Sequence, residues 1–218
     1  LPMALILLQP DLGTDLVFLM MGAAILLVAG FPARYLAVLG VVGVVAVGGI
    51  LTSDTLDQYQ KDRLTSFINP DASSSGATYN VEQAQIAISA GGMLGEGYRD
   101  GKQTKGGFVP EQETDFIFTV SGEELGFVGS ALLLVLEAGI VWRIWRTATM
   151  ARDQVGLLIC VGVMAVFVFH IFQNVGMNLG IMPVTGIPLP FVSYGGSATI
   201  MMFAALGLVM NVHMRRFS

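Results

Sequence analysis

Read for hydrophobic and polar positions, the chain alternates long apolar runs with two polar connections. Runs at residues 12–30, 32–51, 116–142 and 155–172 approach or exceed the ~20 residues that a helix needs to cross hydrocarbon. A fifth run, 198–213, is shorter and ends on a basic anchor, and residues 1–8 read as the tail of a sixth. The polar connections are 53–115 and 173–196. Inside the first, residues 79–90 place apolar side chains at near-helical spacing, which predicts a short helix lying along the bilayer surface. The second holds Pro183, Pro188 and Pro190, which rule out a regular helix there. Irregular backbone at membrane depth is tolerated only inside protein or beside a cavity. The second connection is therefore expected to line one cavity with the polar start of the 116–142 run. Charges confined to the ends of five such runs do not make a water-facing surface, so the pattern predicts an all-α polytopic membrane protein.

Composition agrees. Only 12% of residues are charged, and the mean hydropathy is +0.70. Soluble domains carry roughly twice that charge. Charge then orients the spans. Outside 53–115 the basic residues are Arg34, Arg143, Arg146, Arg152, Arg215 and Arg216, read as lying in short connections or the tail, all on one side. By the positive-inside rule that side is the cytoplasm, so both polar connections face outward. The long connection carries ten acids and five bases, which accounts for the whole formal charge of −5. Cys160 is the single cysteine and excludes a disulfide framework within the chain. Nothing basic precedes Leu1 as in a signal peptide, and the abrupt apolar start reads as an N-terminal truncation.

Acids crowd the start of the 116–142 run: Glu111, Glu113 and Asp115 precede it, and Glu123 and Glu124 lie within it. With a helix starting near Asp115, Asp115, Thr119, Gly122 and Gly126 share a face, leaving a groove with a carboxylate at its mouth and small residues below. A helix N-terminus favours the ionised carboxylate and the neighbouring acids oppose it. The spacing leaves two roles open for Asp115, a helix cap or a base usable near neutral pH. Glu123 and Glu124 lie about two turns in and off that face. They are read as structural, paired with polar groups of neighbouring helices. Arg63, Arg99, Lys102 and Lys105 suit a solvated loop or a clamp for an anionic headgroup. His170 is read as a buried, hydrogen-bonded core residue. No metal-ligand spacing, Ser-His-Asp arrangement, phosphate loop or nucleic-acid motif is present.

Four stretches together carry a family resemblance: QPDLGT at 9–14, FVPEQETDFIF at 108–118, GEELGFVG at 122–129 and PVTGIPLPFVSYGGSA at 183–198. They resemble the SEDS proteins (shape, elongation, division and sporulation), in the family's order and over essentially the whole chain. PVTGIPLP is similar to the RodA branch more than to the division branch, FtsW. The resemblance implies that residues 1–218 are one membrane domain, the C-terminal half of a ten-helix bundle, with a large extracytoplasmic loop containing short helices. It implies a peptidoglycan glycosyltransferase that polymerises lipid II during cell elongation and shape maintenance, in the bacterial plasma membrane, beside a class B penicillin-binding protein. It places the family's essential aspartate on Asp115. The expected substrate-binding residues are Arg63, Gln83, Lys102, Gln103, Lys105, Thr114, Ser193 and Gly195. A divalent cation, magnesium or manganese, is expected from the pyrophosphate leaving group, with no site assigned to it. Glu113 stands where the family usually has histidine, and Ser73-Ser74 where it tends to have Asp-Pro. The family's charged early-helix residues are not in this chain, so the chain alone is expected to be inactive. A transporter flipping the same lipid, or a scaffold for wall-synthesis partners, are the rival readings.

Overall fold

The computed structural model describes residues 12–32, 34–35, 37–38, 40 and 76–216, and what it describes is entirely helical or irregular. The expected span at 32–51 and the tail at 1–8, with Arg63 and Ser73-Ser74, lie largely or wholly outside the described residues. The helices are α1 (Leu12–Val28), α2 (Gly76–Gly91), α3 (Lys102–Lys105), α4 (Ile117–Thr149), α5 (Gln154–Asn178) and α6 (Gly196–Arg215). Among the described residues, α4, α5 and α6 are long and apolar enough to cross a membrane. α1 is a shorter apolar helix of 17 residues packed on α5.

α4 and α5 form an antiparallel hairpin joined by residues 150–153. Asp153 starts α5 by accepting a hydrogen bond from the Gly156 N–H at 3.1 Å, which satisfies one of the helix's orphan donors. The core between α4, α5 and α6 is built from Ile144, Ala148, Cys160, Phe167, Met202, Val209 and Val212. Cys160 is buried there as a free thiol. In lipid there is no hydrophobic drive to hold such helices together, so close packing must do it. Gly162 illustrates the fit: a Cβ there would lie 3.0 Å from Ile25 of α1. The opposite surfaces stay apolar and open, with Leu132, Val135 and Leu136 of α4 and Ile200 and Phe203 of α6 all exposed. Such surfaces suit acyl chains.

Several boundaries differ from the sequence expectation. α4 runs seven residues past Trp142, so Arg143 and Arg146 sit on its last turns and not in a connection. Their long side chains and the exposed Trp142 and Trp145 let a helix continue through the membrane interface. α5 continues past Phe172 to Asn178, which shortens the second connection to residues 179–195. The apolar spacing at 79–90 is realised as α2, whose Ala84 and Ala87 are fully buried in a small core with Val109 and Phe116.

α4 is also broken. Gly126 has φ 66° and ψ −165° inside it, a conformation essentially restricted to glycine. The carbonyls and N–H groups freed by the break are taken up by the turn that follows α2. Glu96 N–H donates to the Glu123 carbonyl at 2.9 Å and Gly97 N–H to that of Glu124 at 3.1 Å. In return Phe127 N–H donates to Gly92 O at 2.9 Å and Val128 N–H to Met93 O at 3.1 Å. The expected groove below Asp115 is therefore filled by the protein itself. Thr119 is buried against Asn178, Gly122 packs on Ile88, and Gly126 lies against Leu94 and Gly95. The small residues permit close backbone approach, and the chain uses that space for packing.

Candidate functional site

Asp115 lies just before α4, whose N-cap position is Phe116 with no side-chain cap bond. The turn that carries Asp115 is set by Glu111, which adopts φ 52°, a left-handed conformation uncommon outside glycine. That geometry aims one carbonyl, Glu111 O, at three N–H groups, those of Thr114, Asp115 and Phe116, at 3.1–3.2 Å. The Thr114 hydroxyl donates to the same carbonyl at 3.2 Å.

Two other elements then clamp this turn. From α5, the side-chain amide of Asn174 donates to Asp115 O at 2.8 Å and to Ile187 O at 2.8 Å. Asn178, one turn on, donates to Asp115 O at 3.2 Å and to Asn174 O at 2.7 Å. Its Oδ1 accepts from Thr119 N–H at 3.2 Å and from the Thr119 hydroxyl. A first-turn donor of α4, which also reaches Phe116 O at 3.0 Å, thus gains a second acceptor from α5. Both asparagines are fully buried. From the 179–195 connection, the Ser193 hydroxyl donates to Thr114 O at 2.6 Å and accepts from Leu189 N–H at 2.7 Å. Tyr194 N–H donates to Glu113 O at 2.8 Å.

The carboxylate of Asp115 faces Gly186 of the same connection. A Cβ built at Gly186, which has φ 74°, would lie 3.3 Å from Asp115 Oδ2. Gly186 also lines a cavity of about 460 Å³ with Thr14, His170, Thr185 and Ser197. A second cavity, of about 670 Å³, is lined by Glu113, Ile117, Ser193, Tyr194 and Gly195. His170 is buried, with Nδ1 3.1 Å from Pro188 O, a core histidine that also fixes the connection.

The structure thus brings together Thr114, Asp115, Ser193 and Gly195. Gln83 lies half-buried on α2, and Lys102, Gln103 and Lys105 lie on α3, with no hydrogen bond from either group to the Asp115 turn. Glu123 anchors α3. Its fully buried carboxylate accepts from Gln103 N–H at 2.7 Å and Thr104 N–H at 3.0 Å. The expected structural role of Glu123 takes this form, its partners being backbone N–H groups of the short helix α3. The two lysines each meet an acid of their own loop, Lys102 with Glu96 at 3.2 Å and Lys105 with Asp100 at 2.7 Å. Hydrogen bonding to Lys105 and its charge hold the Asp100 carboxyl below its ordinary value. Among the described residues no three carboxylate, imidazole or thiol groups converge, so these residues do not by themselves form a metal cage.

Sequence reasoning missed Asn174 and Asn178. Their signal was available: two amides four residues apart at the end of an apolar run, with the Asp115 turn to receive them.

The comparisons with known proteins bear on family and fold. A model of the FtsW/RodA/SpoVE family, described as cell cycle protein, matches residues 1–217. The chain is similar to the peptidoglycan glycosyltransferase MrdB of Escherichia coli K12, 40% identical over 99% of this chain and 58% of that protein. It is also similar to a probable peptidoglycan glycosyltransferase FtsW of Thiomicrospira cyclica, 37% identical over 95% of this chain and 53% of that one. Among solved structures it resembles a chain described under structural coordination of polymerization and crosslinking by a peptidoglycan synthase complex. The TM-score is 0.79 at 33% identity, covering 99% of this chain and 59% of that chain. The chain spans little more than half the length of these relatives. Match, motifs and helical architecture together make this chain a member of the FtsW/RodA/SpoVE family of multi-pass membrane proteins, the SEDS family.

Proposed function

We propose that the protein to which this chain belongs polymerises peptidoglycan glycan strands from lipid II, with Asp115 as general base. The carrying observation is the Asp115 carboxylate beside Gly186, itself a lining residue of a cavity, on a backbone held by Asn174, Asn178 and Ser193. A base must be fixed relative to the proton it removes, and a turn clamped from two elements supplies that.

In this reading Asp115 takes the proton of the acceptor sugar's 4-hydroxyl as its oxygen attacks the anomeric carbon of the donor. The C–O bond to the pyrophosphate breaks, configuration inverts, and a β-1,4 bond forms. Arg63, Lys102 and Lys105 would offset the leaving group's charge, in competition with Glu96 and Asp100. Gln83, Gln103, Thr114, Ser193 and Gly195 complete the proposed substrate contacts. A magnesium or manganese ion would be held chiefly by the substrate's phosphates with one or two carboxylates, as Mg²⁺ commonly is. Its chemistry would be charge neutralisation. The Asp115 side would face outward and Arg215 and Arg216 the cytoplasm. The partner would be a class B penicillin-binding protein, and the role that of the elongation branch; relatives named for the division branch make FtsW-like division work the alternative.

The test is Asp115→Asn in the full-length protein with its penicillin-binding partner. Asparagine keeps the size and cannot take the proton, so lipid II polymerisation falls by at least the ~10²-fold typical of a lost general base. Membrane level and partner binding stay normal. A parental polymerisation rate refutes the mechanism, and unchanged polymerisation with lost lipid movement turns the reading to a flippase.

A further inference from the structure

α4 is longer than a membrane requires. Its residues 127–149, after the break at Gly126, alone rise ~35 Å at 1.5 Å per residue, against ~30 Å of hydrocarbon. The exposed Trp142 and Trp145, with Arg143 and Arg146 beside them, mark one interface. Counting back ~20 residues, or ~30 Å, from Trp145 reaches Gly126, the break in the helix. Side-chain character changes there too. Phe127, Val128, Leu132, Val135 and Leu136 are exposed and apolar, whereas Ser121, Gly122, Glu123 and Glu124 precede the break. Gly126 therefore stands at the hydrocarbon boundary on the Asp115 side.

The turn after α2 is tied to the same level. Gly92 O and Met93 O accept from Phe127 and Val128, the first residues inside the boundary. Met93 is 65% exposed and Leu94 81%, beside Phe127 at 64%. The charged residues that follow, Glu96, Arg99, Asp100 and Lys102, run on from the tip past the carbonyls of Glu123 and Glu124, on the water side of the break.

We propose that residues 92–94 form a re-entrant anchor whose Met93 and Leu94 side chains enter the acyl region of the leaflet on the Asp115 side. The occupant is lipid because the exposed, apolar tip is bonded beside the exposed, apolar Phe127 and Val128 of the spanning helix α4. It presents no cation for a headgroup. Two of its carbonyls, Gly92 O and Met93 O, are already paired with α4, as backbone entering hydrocarbon requires. The anchor ties the depth of the α2–α3 loop, and with it the lysines on α3, to the membrane surface.

The test is site-directed spin labelling of the full-length protein in lipid nanodiscs, with Cys160 and any other cysteine replaced. Labels at Leu94→Cys and Met93→Cys should collide more often with oxygen than with a water-soluble nickel chelate, as a label at Leu132→Cys does. A label at Asp100→Cys should show the reverse order. Nickel collisions at 94 equal to those at 100 overturn the proposal, because the tip then lies in water. Shielding of 93 and 94 from both reagents also overturns it, because protein then covers the tip. Neither result bears on the polymerase reading, since the measurement reads depth and not activity.

Discussion

Replacing Glu123 by alanine removes the acceptor for two backbone N–H groups, those of Gln103 and Thr104, at 2.7 and 3.0 Å. The carboxylate is fully buried and Thr104 is buried beside it, so water does not readily substitute. Leaving a buried donor unsatisfied costs ~1–3 kcal/mol, which for two donors is about 2–6 kcal/mol. At tenfold per 1.4 kcal/mol, local opening of residues 101–105 should rise between about 30-fold and about 10⁴-fold. Hydrogen exchange in nanodiscs should show the acceleration in the peptide holding Gln103 and Thr104, while the spanning part of α5 keeps its protection. Trypsin should cut at Lys102 and Lys105 in the variant under conditions that spare the parent. Glu123→Gln keeps one acceptor oxygen but turns an N–H₂ toward the second donor, so it should fall between the two. Parental exchange in the alanine variant would show that Glu123 does not hold α3, and the reasoning from these two bonds would fail.

Asn178→Leu should lower thermal stability by several degrees, since the buried Thr119 hydroxyl loses its acceptor, Thr119 N–H is left with Phe116 O alone, and Asp115 O loses one of its two amide donors. In the full-length protein it should also lower polymerisation with substrate affinity retained, because a shift near 1 Å at a catalytic group can cost ~10²-fold. Asn178→Asp, which keeps the acceptor and loses the donor, should recover stability better than activity; equal recovery of both would remove the positioning role. Gly126→Ala should sharply reduce folded protein in membranes. The φ of 66° costs a side chain ~1–3 kcal/mol, and a Cβ there would sit within contact distance of Gly95 N, inside the four-bond junction. Wild-type thermal stability for this variant, measured by melting in detergent, would mean that the break is not needed.

What the sequence determined by itself was the partition of the chain. Apolar runs of membrane length, basic residues at their ends and an acidic connection follow from the cost of burying charge in hydrocarbon, a local property of each segment. α2 was legible from its spacing, the irregular 179–195 connection from its prolines, and the proposed role of Asp115 from the motif around it. The partners of these groups were not legible. Glu123 meets donors 19 and 20 residues away, Asn174 reaches Asp115 O across 59 residues, and Ser193 reaches Thr114 O across 79. No periodicity marks such pairs, because each is decided by which elements pack together. Glycine was ambiguous for the same reason. Thr119, Gly122 and Gly126 read as an open groove, and only the arrival of Ile88, Leu94 and Gly95 showed that space to be filled by the chain itself. The break at Gly126 is the clearest case, since a helix can be interrupted beside a membrane only where another part of the chain satisfies the backbone that the interruption frees.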